Sequence, residues 1–181
     1  MHESPAPRRK QTLWPIPGGV GQYVPNLRKI VRGASAGATT AAAHQWVIDS
    51  FVSVSSTSFA AGATEVACDL GMLERSRGRF VRTDIGDSFV RTGRHEIVLA
   101  QLIARIAAVE EIIDVLRTTP LRIGLLQQEL LESGLISWRT DKQVRYRLRW
   151  LEELGVLRRE GKARPVYSLT SRGNALSLPS H

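Results

Sequence analysis

Shifted against itself by 84 residues, the chain aligns two long segments without a gap. LRKIVRGASAGATTAAAHQWVIDSFVSVSSTSFAAGATEVACDLGML (27–73) falls on EIIDVLRTTPLRIGLLQQELLESGLISWRTDKQVRYRLRWLEELGVL (111–157). Few residues are identical, but apolar positions correspond: Val31 with Val115, Val47 with Leu131, Phe51 with Leu135, Val54 with Trp138 and Ala67 with Leu151. Leu70-Gly71-Met72-Leu73 matches Leu154-Gly155-Val156-Leu157. Each repeat then runs through a basic, turn-forming stretch into a β-prone run that ends in Thr-x-x-Gly, RFVRTDIG (79–86) and VYSLTSRG (166–173). A period this long, present twice, indicates a duplicated domain, because solenoids need about three or more short repeats.

Local signals in the second repeat agree with one another. Thr119 can cap and Pro120 fits a first helical position, which predicts a helix opening there and stopping near Gly134. Thr140 or Asp141 can cap the next helix, whose Val144, Leu148, Leu151 and Leu154 recur at spacings of four and three. Gly155 ends it, and Val156-Leu157, a turn around Gly161 and PVYSLT read as a two-stranded hairpin. Three helices followed by a hairpin form the winged helix-turn-helix pattern, in which the third helix enters a groove and the hairpin is the wing.

With its Leu-Gly-x-Leu and Leu-Thr-x-x-Gly motifs, the second repeat resembles the winged-helix family. The duplication looks like the tandem winged-helix segments of bacterial restriction-modification and associated nuclease or ATPase proteins. The resemblance covers roughly residues 25–176. The fold it implies is mainly α with small β-hairpins (α+β): two winged helix-turn-helix domains joined by a long helix. The expected organisation is an extended arm over 1–24, a first domain over 25–93, a connecting helix over 94–119 and a second domain over 120–181. The end of the connecting helix supplies the first helix of that second domain. Within RHEIVLAQLIARIAAVEEIIDVLRTT, Leu99, Leu102, Ile106, Val109, Ile113 and Leu116 form a heptad seam that Ile103 and Ile112 widen. Such a seam packs between its own two domains or pairs with a second copy of the chain as a homodimer.

The formal charge of +8 is shared about equally between the halves and favours polyanionic partners. Cys68 is the only cysteine, which excludes an internal disulfide and fits a reducing compartment. MHESPAPRRKQ has no apolar run behind it to read as a secretory signal, and no stretch approaches a membrane span. A cytoplasmic location is expected.

On a helical wheel the third helix of the second repeat places Lys142, Gln143, Tyr146, Arg149 and Glu153 opposite its apolar stripe, with Arg139 just before it. Arg can fork onto guanine and Gln onto adenine, while Lys and Tyr hold phosphate oxygens. The hairpin adds Arg158, Arg159, Lys162 and Arg164. Together these are candidate contacts to double-stranded DNA. The first repeat differs. Its third helix turns Ser58, Ala61, Gly62, Glu65 and Asp69 outward, a small and acidic face suited to close packing. Its hairpin still holds Arg75, Arg77, Arg79 and Arg82, which can meet phosphates or a minor groove.

Nothing in the sequence argues for catalysis, a cofactor, a metal or a small-molecule ligand. His2, His44, His95 and His181 are dispersed, and no His/Cys cluster has zinc spacing. Glu160-Gly161-Lys162 imitates part of a nuclease site but falls on the hairpin tip, and PGGVGQ (17–22) lacks the Lys and helix of a phosphate loop. Cys68 reads as a packing residue, and Trp14, Pro15, Pro17 and Tyr23 as an extended arm that docks by its aromatics. The leading expectation is duplex DNA binding, as a recognition module or regulator that could work with a nuclease or ATPase partner. The alternative is an assembly subunit of a chromosome-maintenance complex that uses winged helices for protein contacts.

Overall fold

The computed structural model of the chain describes residues 9–37 and 39–178. In the first repeat α1 (Tyr23–Ala34), α2 (Thr40–Ser50) and α3 (Thr57–Asp69) precede a hairpin of β1 (Leu73–Ser76) and β2 (Arg79–Arg82), then α4 (Asp84–Thr92). Two helices follow, α5 (His95–Arg105) and α6 (Val109–Thr118). The second repeat continues with β3 (Leu121–Arg122), α7 (Ile123–Glu132), α8 (Lys142–Glu153), β4 (Leu157–Glu160), β5 (Val166–Leu169) and α9 (Ser171–Asn174). At the 84-residue shift, α1, α2, α3 and β1 fall on α6, α7, α8 and β4 to within two residues. The architecture is mainly helical with small antiparallel sheets.

The shared motifs close both repeats with one backbone device. Gly71 and Gly155 follow their third helices at φ 67° and 68°, a left-handed conformation that costs glycine little. Thr83 and Thr170 then reach back to that corner. Their hydroxyls donate to the carbonyls of Gly71 at 2.6 Å and Gly155 at 2.7 Å. The same oxygens accept from the N–H groups of Gly86 and Gly173, at 3.1 Å in each case, and so cap α4 and α9. The last glycine of the motif is there for space: a Cβ on Gly86 would run into the Met72 carbonyl, and one on Gly173 into that of Val156.

One apolar cluster runs through both repeats. Leu27, Ile30, Val47, Val66, Phe80 and Phe89 fill the first, and Ile113, Leu126, Leu130, Val144, Leu148 and Leu169 the second. α8 bridges them because it carries two inward stripes. Val144, Leu148 and Leu151 face its own repeat, whereas Trp150 meets Tyr23 of α1 with ring centroids 5.0 Å apart. Glu153 completes the join. Its carboxylate accepts from the N–H groups of Gly21 and, at 3.2 Å, Val24, giving the N-terminus of α1 the cap that Gln22 does not provide.

Two expectations need correction. The single helix over 94–119 is divided, with Ala108 left-handed at φ 64° between α5 and α6. Tertiary hydrogen bonds hold the break open. Lys10 N–H donates to the Arg105 carbonyl at 2.7 Å, Ala107 N–H to the Lys10 carbonyl at 3.0 Å, and Arg147 Nε to the Ala107 carbonyl at 2.6 Å. The seam residues Leu99, Leu102, Ile106, Val109, Ile113 and Leu116 are nonetheless all buried inside the chain's own core. Thr119 and Pro120, for their part, do not open α7. They lead into β3, which pairs Leu121 with Tyr167 and Arg122 with Val166, so the second hairpin belongs to a three-stranded sheet ordered β3-β5-β4.

Candidate nucleic-acid interface

With two stripes buried, α8 leaves only a narrow strip to solvent: Lys142, Arg145 and Arg149 are exposed, and Tyr146 and Glu152 partly so. Arg139 is exposed in the loop just before the helix. Across from the strip stands the β4–β5 hairpin, and the two enclose a cleft of about 740 Å³ against the start of α7. Six cations line it: Arg122, Arg145, Arg149, Arg159, Lys162 and Arg164. Glu152 is the one carboxylate among the lining residues, while Ile123, Leu125, Pro165 and Tyr167 give an apolar lining. Burial pushes the Tyr167 phenol above its ordinary pKa, with Arg159 pulling the other way.

Charge in this region is largely uncompensated. Among the described residues, Arg122, Arg139, Lys142, Arg149, Arg159, Lys162 and Arg164 form no salt bridge. Arg145 pairs with Asp141 one turn earlier, and Arg158 with Glu160 at 2.9 Å. Lys142 sits 5.9 Å above the Tyr146 ring. Of the residues expected to face DNA, Gln143 does not: its side-chain oxygen accepts from Leu13 N–H at 2.8 Å, and its amide donates to the Leu13 carbonyl at 3.3 Å. Glu153, also expected outward, caps α1 instead. The wheel placed these two on the free side because it recognised one buried stripe where α8 has two.

Arg147 was missed altogether. It is 0% exposed in a helix otherwise rich in surface cations. Nε donates to Ala107 O, one terminal nitrogen to Gln143 O at 2.8 Å and Gln143 Oε1 at 3.0 Å, and the other to Gln11 O at 2.8 Å. Its guanidinium lies 4.1 Å over the Trp138 ring. Burial pulls its pKa down to about 9, with Glu111 opposing. This fan of hydrogen bonds ties α8, the α5–α6 break and the N-terminal arm together. Arg122 and Arg145 also line the cleft without having been singled out. Their signals were weak, since Arg122 sits in a strand two residues long and Arg145 one position before Tyr146.

The equivalent surface of the first repeat is occupied. The arm crosses the outer face of α3, where Trp14 packs so close that a Cβ on Gly62 would lie 2.9 Å from its ring. Lys10 Nζ pairs with the buried Asp69 at 3.0 Å. Of the small outward residues of α3, Gly62 thus packs and Ala61 is half-buried while Ser58 stays exposed, and Asp69 faces the arm. Tyr23 is not part of that arm but the first residue of α1, and residues 1–8, including His2, lie outside the described residues. Arg75 pairs with Glu65 at 2.6 Å and Arg82 with Asp87 at 2.9 Å. Arg77 and Arg79 form no salt bridge among the described residues. Arg77 (φ 51°) and Gly78 make the tight turn, and the Gly78 carbonyl accepts from Thr40 N–H at 2.8 Å and Thr40 Oγ at 2.9 Å.

Other reactive side chains are engaged in packing. Cys68 is half-buried, and burial pushes its thiol up to about 12, far from an activated thiolate. His44 lies 3.2 Å from Thr64 Oγ, and burial lowers its pKa. Among the described residues no helix is long and apolar enough to cross a membrane, and no metal-ligating group of three converges. His181 lies outside those residues. No family model, curated protein or solved structure matches this chain.

Proposed function

We propose that the chain binds double-stranded DNA through the second repeat, as a tandem winged helix-turn-helix recognition module or regulator in the cytoplasm. The carrying observation is the run of unpaired cations along the α8 strip and the β4–β5 hairpin, facing one another across the cleft. The order helix, strand, helix, helix, strand, strand over α6–β5, with sheet order β3-β5-β4, supports the winged-helix reading. The first repeat keeps the helices and hairpin, without a partner strand among its described residues.

Phosphate contact supplies most of the binding energy in this scheme, and the strip sets orientation along the groove. Arg77 and Arg79 give the first repeat a smaller, auxiliary phosphate contact. A protein that neutralises about five phosphates shows log affinity falling with log salt at a slope of about −4.5. Anisotropy titrations of a random-sequence duplex at several salt concentrations test this. Affinity that stays flat between ~50 and ~200 mM salt contradicts it. The second reading, an assembly subunit that contacts protein, draws on α3, whose outer face already receives a peptide segment, the chain's own arm.

A further inference from the structure

We propose that the cleft between α7, α8 and the β4–β5 hairpin receives one unstacked nucleotide, so that the protein prefers DNA with an unpaired base. This inference rests on the DNA-binding reading and adds a ligand feature to it. A continuous duplex presents phosphates, and for them the exposed cations would suffice without any concavity. The cleft offers more than cations. Ile123, Leu125 and Pro165 give it an apolar lining behind the charged rim. Leu125 is 53% exposed, an uncovered apolar side chain in the middle of a basic surface.

A hydrated phosphodiester gains nothing from such a surface. A base out of the stack does, because its flat faces are apolar and their burial offsets the cost of unstacking. The volume of about 740 Å³ falls among sites that enclose small organic groups. Arg149 on one wall and Arg159 and Arg164 on the other can hold the phosphates on either side of the inserted base. An acidic amphipathic peptide has similar complementarity. The nucleotide is favoured because Arg149 belongs both to the cleft and to the α8 strip, so one strand can run from strip to rim without interruption.

Three versions of one duplex decide the question: fully paired, with one unpaired nucleotide, and with an abasic residue at that same place. The abasic version has the flexibility of the unpaired one but no base. Binding of the unpaired version on the order of tenfold tighter than the abasic one is expected. 2-Aminopurine at the unpaired position should change its fluorescence on binding. Leu125→Ser, a change at a half-exposed position, should shrink the tenfold difference to about twofold and leave the salt slope on the paired duplex as it was, since no cation is removed. Equal affinity for the unpaired and abasic versions, with steep salt dependence on the paired duplex, overturns the inference and leaves the DNA reading standing. No binding of the paired duplex at any salt overturns both. Displacement of the unpaired version by a Leu/Glu-rich peptide that leaves the paired duplex bound also overturns the inference, by assigning the cleft to a peptide.

Discussion

α3 and α8 hold the same place in the two repeats and have acquired opposite surfaces. Each buries a stripe against its own hairpin and helices, Ala60, Ala63 and Ala67 in one and Val144, Leu148 and Leu151 in the other. The fold requires only that stripe. Beyond it α3 is small and acidic, so the arm lies close against it and Lys10 meets Asp69. α8 is bulky and cationic. One side of it locks onto the first repeat through Trp150 and Glu153, and the other keeps Lys142 and Arg149 in water without acidic partners. The two repeats share inward apolar positions at Ala60 with Val144 and at Ala67 with Leu151, whereas their outer faces differ in size and charge.

The position of Arg147 shows the divergence at its sharpest, since the aligned residue in α3 is the buried Ala63. Arg147→Ala removes a buried cation and strands the carbonyls of Gln11 and Ala107. A loss of about 3–5 kcal/mol is expected in denaturant unfolding, with the arm becoming cleavable by protease. A loss under about 1 kcal/mol would mean that the arm holds the repeats together without this anchor.

A smaller effect tests what the repeats share. Gly86→Ala and Gly173→Ala each push a methyl group onto a backbone carbonyl that cannot easily move. Each should cost about 2–3 kcal/mol, and the two costs should agree within about 1 kcal/mol. If one repeat tolerates the change, the closing corner is not the same device in both.

The parts legible in the sequence were those decided locally. Apolar spacing located α8, and Leu-Gly-x-Leu with Thr-x-x-Gly recurred in both repeats at the corner that its hydrogen bonds close. The interruption at Ala107–Ala108 was not legible. The heptad pattern passes straight through it, both residues favour helix, and the cause lies in Lys10 and Arg147, far away in sequence. Gln143 looked solvent-facing, and Arg147 went unnoticed, for a related reason. Trp150 was the available signal: a large apolar residue off the Val144–Leu148–Leu151 stripe, in step with Gln143 and Arg147 at spacings of four and three. It marks the second buried side of α8.

The central claim, that the second repeat carries the DNA surface and α3 does not, is tested most directly by one duplex titrated into two variants at a single salt concentration. Arg149→Ala with Arg159→Ala removes two unpaired cations that line the cleft from α8 and the hairpin. The expected cost is about 2 kcal/mol, some thirtyfold in affinity. Glu65→Ala removes a carboxylate from α3 and releases Arg75 from its 2.6 Å pair. Its affinity should stay within about twofold of the parent or improve slightly. An unchanged double variant together with a Glu65→Ala protein that no longer binds would place the DNA surface on the first repeat and contradict the account.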